Sequence, residues 1–232
     1  MTSTFTPPPL LVFDLDGTVA DTAVDLVATL NAILTREGLA AIPFKDAVGM
    51  VGSGAKALLQ RGLKANDVTV DEKRLDELFT DYLAHYEAHI ADDSTLYPGV
   101  TKALDRFEAA GWTFAICTNK VESSARLLLT ALGVAQRFKA ICGKDTFDVS
   151  KPDGDALLQT IAKAGGDPRR AIMVGDSRTD IDTAKNAKVP VVAVTFGYTD
   201  LPVETFEPDR IVKSFDELFD AVEELSAVFH VA

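Results

Sequence analysis

Short apolar runs alternate with helical patterns over much of the chain, and this alternation restricts the fold more than any other feature. Five runs rich in Val, Ile and Phe have the length of strands buried on both faces, at residues 10–13, 114–117, 140–142, 171–174 and 191–194. Apolar residues at helical spacing separate most of these runs between residues 97 and 225. Such alternation predicts an α/β fold with a parallel, Rossmann-like sheet.

Residues 21–94 lack this alternation. Their apolar spacing predicts helices only: one that begins near Ala23, shorter ones at 45–50 and 55–63, and another over 75–90. We therefore expect two domains, an α/β core formed by residues 1–20 and 95–232 and an inserted helical domain formed by residues 21–94.

Composition restricts the partners of the chain. The net charge is −12 and no dense cluster of Lys and Arg is present, which argues against nucleic acid or an anionic membrane as the main partner. No apolar run is long enough to span a bilayer, and the first residues lack the positive region of a signal peptide. Cys117 and Cys142 each lie in an apolar run, which is typical of small buried side chains and fits a reducing cytoplasm. The sequence does not decide between a monomer and a homodimer.

Polar side chains follow the predicted strands. Asp14 and Asp16 follow the first strand, and the other candidates, after the later strands, are Thr118, Asn119, Lys151, Asp176 and Asp180. Since ligands bind beyond the carboxyl ends of the strands in open α/β sheets, we expect these residues to form one site. Several carboxylates in one place need a cation, and oxygen ligands suit Mg²⁺.

Each acid also has a simpler interpretation. Asp16-Gly17 is typical of a turn, and Asp14 could cap a helix. Asp176 and Asp180 could likewise be acids at the start of the helix that follows them. The occurrence of this chemistry after separate strands favours a functional site over these readings.

Four stretches carry a family resemblance. FDLDGTVADT, ICTNK, Lys151-Pro152 and GDSRTD resemble, in order, the four motifs of the haloacid dehalogenase-like (HAD) hydrolase superfamily, and residues 21–94 resemble its C1 cap. We call residues 21–94 the cap. GMVGSGAKALLQRGL, YPGV and VGDSRTDIDTAKNA are similar to bacterial phosphoglycolate phosphatases. The resemblance implies a Mg²⁺-dependent phosphomonoester hydrolase that acts on a small phosphorylated metabolite, 2-phosphoglycolate above all.

The resemblance also implies roles for individual residues. Asp14 would be the nucleophile that forms an aspartyl-phosphate, and Asp16 would be the general acid and base. Mg²⁺ would be held by Asp14, the main-chain carbonyl of Asp16 and Asp176, with Asp180 orienting these ligands. The residues expected to grip the phosphate oxygens are Thr118, Asn119 and Lys151.

Other activities stay open at this point. Dehalogenases lack an acid at the position of Asp16, so its presence favours phosphoester hydrolysis or a β-phosphoglucomutase-like mutase reaction. A receiver-like phosphoacceptor module is a non-enzymatic alternative, disfavoured by the helical insert and by the Asp14/Asp16 pair. One departure from the family pattern is Gly154, where many relatives have a second proline after Lys-Pro; this predicts a more mobile loop around Lys151.

The cap is expected to select the substrate. Gly52-Ser53-Gly54 precedes a predicted helix that carries Lys56 and Arg61, so this segment could receive a substrate carboxylate; alternatively, the glycines shape a turn and the basic residues face solvent.

His85 and His89 have the spacing of a zinc pair on a helix. No accompanying Glu or Cys completes a ligand set, which favours a solvated helix face.

Overall fold

The computed structural model describes residues 7–52, 54–199 and 201–230. Its strands are β1 (Leu10–Phe13), β2 (Ala20–Asp21), β3 (Thr95–Leu96), β4 (Thr113–Cys117), β5 (Phe138–Cys142), β6 (Ala171–Gly175), β7 (Val191–Val194) and β8 (Arg210–Val212). Its helices are α1 (Ala23–Arg36), α2 (Phe44–Ala47), α3 (Ala55–Ala65), α4 (Glu72–Ala88), α5 (Val100–Ala109), α6 (Glu122–Ala131), α7 (Gly154–Lys163), α8 (Arg178–Ala187) and α9 (Phe215–Ser226). None of the helices in these ranges is long and apolar enough to cross a membrane.

Six strands form one parallel sheet in the order β5-β4-β1-β6-β7-β8. The predicted α/β fold with a parallel sheet is therefore confirmed, and all five predicted strands are present. The strand β1 lies between β4 and β6, with Phe13 in register with Ile116 and Val174. The sequence analysis did not anticipate the edge strand β8.

The side chains of a strand alternate between the two faces of the sheet, and in these strands the side chains on both faces are apolar. Helices cover both faces and bury these side chains. Leu11 and Phe13 of β1 face a core that includes residues of α5, α6 and α9. Leu10 and Val12 face the opposite core, which includes residues of α7 and α8. Both faces of the sheet are therefore buried under helices, as the continuous apolar runs predict.

The cap helices pack on one another around their own apolar cluster. Leu30 of α1, Leu59 of α3 and Tyr82 of α4 are buried there together. The two connections between this cluster and the large sheet run side by side, since β2 and β3 pair as an antiparallel ribbon. Asp25 in α1 supports this junction by accepting hydrogen bonds from the main-chain N–H groups of Asp93 and Ser94. The domain boundaries at 20/21 and 94/95 stay a prediction.

Candidate active site

Three neighbouring strands deliver polar residues to one edge of the sheet. Asp14 directly follows β1, Thr118 follows β4 and Asp176 follows β6. Because β1 lies between the other two strands, Asp14 occupies the centre of this edge. Here the main-chain N–H of Asp14 still donates to the carbonyl of Val174 at 2.9 Å, so the backbone of the first acid is held by the sheet.

Asp14, Asp176 and Asp180 form a compact group of buried acids. One oxygen from each carboxylate lies within 4.8 Å of the others. Within residues 7–52, 54–199 and 201–230, these three form the only group of three or more His, Cys, Asp or Glu residues that could hold a metal ion. The donor set consists of carboxylate oxygens, which fits Mg²⁺ and does not suit soft metals.

Lys151 places a buried positive charge among these acids. Its Nζ lies 2.9 Å from Asp14 Oδ1 and 2.6 Å from Asp180 Oδ1. Burial lowers the pKa of Lys151, but the charges of Asp14 and Asp180 outweigh this effect and hold it above its ordinary value. The lysine therefore stays charged and offsets part of the repulsion between the carboxylates.

Even with this lysine, Asp14 and Asp176 are held in an environment that disfavours their charged forms. Burial raises the pKa of Asp14 to about 6, against the opposing charge of Lys151 and with the help of Asp180. Burial also raises the pKa of Asp176 well above its ordinary value, and Asp180 and Asp14 add to this shift. A divalent cation would reverse both effects, so the electrostatics of the group also fit Mg²⁺.

Hydrogen bonds and two glycines position Asp176. Its Oδ1 accepts from Thr18 Oγ1 at 2.8 Å, and its Oδ2 accepts from the main-chain N–H of Tyr198 at 2.7 Å. Gly17 has φ +84°, and a Cβ there would lie 2.6 Å from Asp176 Oδ2. A Cβ on Gly197 would also collide with this carboxylate. The backbone can approach Asp176 from both sides only because these positions are glycine.

Asp180 is both an acid at the start of a helix and a member of the acid group, the two interpretations that its position in the sequence allows. Its Oδ2 forms a capping box at the start of α8, accepting from the main-chain N–H of Ser177 at 3.0 Å and from Ser177 Oγ at 2.7 Å. Its Oδ1 faces Lys151. One oxygen thus anchors the helix while the other belongs to the site.

The side chain of Asp16 has partners of its own, outside the group of three acids. Its carboxylate accepts from Lys120 Nζ at 2.9 and 3.2 Å and from Thr22 Oγ1 at 2.7 Å. Asp14 and Asp16 therefore face different surroundings although they are two residues apart. This separation is compatible with different roles for the two acids, which stay a prediction.

Thr118 and Asn119 lie beside this pair. Thr118 lines the pocket above Asp14 and accepts from the main-chain N–H of Lys120 at 3.2 Å. Asn119 Nδ2 donates to the carbonyl of Lys151 at 3.2 Å, so this amide also supports the loop that carries the lysine. The Asn119 Oδ1 atom is buried without a hydrogen-bond partner among the described residues.

Gly154 has a packing role in this loop. A Cβ at this position would lie 2.5 Å from the main-chain N of Ala187, at the end of α8. The glycine lets the start of α7 approach α8 closely. Lys151 is buried and paired with two acids. The greater mobility expected of this loop stays a prediction.

The basic residues proposed for the cap do not gather at the site. Lys56 Nζ lies 3.1 Å from Glu72 and 2.5 Å from Asp76 on the cap surface, and Lys56 is not among the residues that line the pocket. Arg61 donates to the carbonyl of Met50 at 2.5 Å and lines a second depression, next to Arg178. Ser53, the middle residue of the proposed anion-binding segment, lies outside the described residues.

His85 and His89 stack on each other with ring centroids 4.7 Å apart. His89 pairs with Asp92, and the group identified above as a potential metal site includes neither histidine. The solvated-helix interpretation stays a prediction.

The sequence analysis assigned no role to Lys120 or to Tyr198. Lys120 follows two predicted binding residues directly, at the end of a strand, and this position is a signal that could have identified it. Tyr198 follows β7 in a loop with no recognisable pattern, so only the structure connects it to Asp176.

Comparisons with known proteins identify the family. Residues 11–194 match the haloacid dehalogenase-like hydrolases. A phosphoglycolate phosphatase of Mesorhizobium japonicum is 48% identical over 210 residues, covering 90% of this chain and 92% of that protein. One of Agrobacterium fabrum is 45% identical over 214 residues, covering 92% of each. A crystal structure from Haemophilus somnus, described as a predicted phosphoglycolate phosphatase, superposes with a TM-score of 0.85 at 28% identity and covers 91% of this chain and 96% of its own.

The chain belongs to the haloacid dehalogenase-like hydrolases. The predicted enzyme class, a phosphatase, is confirmed by these relatives. Membership of this family also favours an enzyme over the receiver-like alternative.

Proposed function

We propose that this phosphatase hydrolyses 2-phosphoglycolate to glycolate and phosphate in a Mg²⁺-dependent reaction that passes through a phosphorylated Asp14. The observation that carries the proposal is the position of Asp14 at the centre of the strand edge, within 4.8 Å of Asp176 and Asp180 and 2.9 Å from Lys151. The names of the relatives at 44–48% identity support the choice of substrate.

In the first step, an Asp14 oxygen attacks phosphorus and the ester oxygen leaves with a proton from Asp16. In the second step, Asp16 takes a proton from a water molecule, which attacks the phosphorus of the aspartyl-phosphate and regenerates Asp14. Lys151, Thr118 and Asn119 bind the phosphate oxygens and stabilise the charge that develops on them.

Asp14, Asp176 and the main-chain carbonyl of Asp16 would hold Mg²⁺, with Asp180 orienting them through its bonds to Ser177. When bound, the ion would mask the negative charge of the phosphate and keep the Asp14 carboxylate ionised. The hydrogen bonds of Thr18 and Tyr198 to Asp176 fix the direction of this ligand. We also infer a cytoplasmic location, which suits the free, buried Cys117 and Cys142.

A phosphate-release assay tests the proposal. Purified enzyme is offered 2-phosphoglycolate, 3-phosphoglycerate, phosphoenolpyruvate, O-phosphoserine and β-glucose 1-phosphate, each with Mg²⁺ and without a sugar bisphosphate. We expect the highest kcat/KM for 2-phosphoglycolate and no release by Asp14→Asn. A flat profile would contradict the assigned substrate, and a requirement for a sugar bisphosphate would favour the mutase.

A further inference from the structure

The cap closes a mostly apolar pocket over the site. Its walls on the cap side are the side chains of Leu26, Val51, Leu58 and Leu83, and its floor includes Asp14 and Asp16. Among the described residues that line this pocket, Lys120 alone carries a positive charge. An anion that enters beside the phosphate position would therefore find one cationic partner.

Lys120 is buried at the junction between the core and the cap. Its Nζ binds the Asp16 carboxylate and lies 4.4 Å from the centroid of the Tyr86 ring, on α4. The ammonium is thus paired with an acid of the core and lies against an aromatic ring of the cap. A buried ammonium with three N–H donors has the capacity to bind a second anion in addition to Asp16.

Two further features of the pocket suit an oxyanion next to Lys120. The Tyr86 hydroxyl is buried beside the Lys120 ammonium. The helix α3 begins beside the pocket, and its N-cap residue, Gly54, offers no side chain to the N–H groups of the first turn. Both lie on the cap side of the pocket, while the acids lie on the core side.

We propose that Lys120 binds the carboxylate of the substrate and so selects small phosphomonoesters that carry a carboxylate next to the phosphorylated carbon. The proposal rests on the proposed function. In the substrate-free enzyme, both oxygens of the Asp16 carboxylate are paired with the Lys120 ammonium. A bound substrate carboxylate competes for the same ammonium. One Asp16 oxygen is then free to turn toward the leaving ester oxygen. Phosphoesters without a carboxylate leave the Lys120–Asp16 pair intact, so they lose kcat as well as affinity.

The test compares 2-phosphoglycolate with 2-phosphoglycolamide, which replaces the carboxylate by a neutral group of the same size. For the wild-type enzyme, we expect the ratio of their kcat/KM values to be on the order of 100 or more, as for a charge-assisted contact made in a buried site. In Lys120→Met, this ratio should fall to within about threefold of 1. Lys120→Arg keeps the charge and should retain most of the preference.

Lys139→Met, which removes an exposed lysine of β5, is the matched control and should keep the wild-type ratio. If Lys120→Met lowers both kcat/KM values by the same factor, Lys120 acts only through Asp16 and the proposal is wrong. If Lys120→Met does not fold, Lys120→Gln gives the same comparison. A wild-type enzyme with no activity on 2-phosphoglycolate would overturn the proposed function itself, whereas a wild-type preference that survives in Lys120→Met overturns only this inference.

Discussion

The main-chain N–H of Tyr198 donates a hydrogen bond to Asp176 across 2.7 Å. The phenol oxygen of the same tyrosine accepts from the main-chain N–H groups of Thr22 and Ala23, at 2.6 and 2.9 Å, where α1 begins. Tyr198 thus connects an acid of the site with the point at which the chain enters the cap. A change in the direction of α1 would be transmitted to Asp176 through a single residue.

Tyr198→Phe removes the contact to α1 and keeps the main-chain bond to Asp176. We expect the free energy of unfolding to fall by about 2–3 kcal/mol, because the hydroxyl accepts hydrogen bonds from Thr22 and Ala23 and donates one to Asp21. Because cap and acids are no longer coupled, kcat/KM should fall by about tenfold. Urea denaturation and the phosphate-release assay measure the two effects.

Tyr82→Phe is the matched control for this variant, because the buried Tyr82 hydroxyl donates to the carbonyl of Leu26 within the cap. Tyr82→Phe should lose about 1 kcal/mol of stability, because it removes one hydrogen bond, and should retain its activity. Equal losses of activity in both tyrosine variants would show that Tyr198 has only a structural role.

Lys151→Met tests the charge balance of the acid group. Removing the lysine leaves Asp14 and Asp180 without their buried partner, so in EDTA the free energy of unfolding should fall by about 3–5 kcal/mol. Saturating Mg²⁺ should recover a large part of this loss, because the ion replaces the missing positive charge.

The control is Lys102→Met, which breaks an exposed ion pair with Asp216. The free energy of unfolding of Lys102→Met should fall by less than about 1 kcal/mol, and this loss should not depend on Mg²⁺. An Mg²⁺-independent loss in Lys151→Met would contradict the assignment of the acid group as a metal site.

The raised pKa of Asp14 predicts how stability depends on pH in EDTA. The folded protein holds a proton on Asp14 up to a pKa of about 6, whereas the unfolded chain releases it near 3.8. The folded state therefore binds more protons between these values, and the contribution of Asp14 to stability is lost as the pH rises from 3.8 through 6. Urea denaturation over this range should show a shallower decline in Asp14→Asn than in the wild type. If the free energy of unfolding depends on pH in the same way in both proteins, the pKa of Asp14 is not raised in the folded state.

Gly154→Ala tests whether close helix packing requires the glycine. The added Cβ would meet the backbone of Ala187, so we expect a loss of about 1–3 kcal/mol from overpacking. Gly49→Ala is the comparison, because no atom lies within 4 Å of a Cβ built at that position. Thermal unfolding measures both variants, and equal midpoints would rule out the packing explanation.

The parallel sheet could be predicted because its strands are buried on both faces and therefore appear as continuous apolar runs. The strand β8 was not predicted because it is a three-residue edge strand, and Arg210 at its start is exposed. The ribbon of β2 and β3 was not predicted for a similar reason, since a strand of two residues is too short to show a periodic pattern of apolar side chains.

The grouping of Asp14, Asp176 and Asp180 could be predicted because they lie after strands whose order brings them together. The contacts of Lys120 and Tyr198 with the acids could not. Lys120 lies 104 residues from Asp16 in sequence, and Tyr198 lies 22 residues from Asp176. Which side chain after β4 meets Asp16 depends on the conformation of the loops that follow β1 and β4, so this contact depends on the tertiary structure.

The phosphorylation of Asp14 is the central claim, and chemical trapping tests it directly. Enzyme mixed with 2-phosphoglycolate and Mg²⁺ is quenched with borohydride, which reduces an aspartyl-phosphate to homoserine, and the peptide that contains residue 14 is sequenced by mass spectrometry. We expect homoserine at position 14, absent when EDTA replaces Mg²⁺ and absent when substrate is omitted. Homoserine at another aspartate, or an unmodified Asp14 during active turnover, would contradict the account.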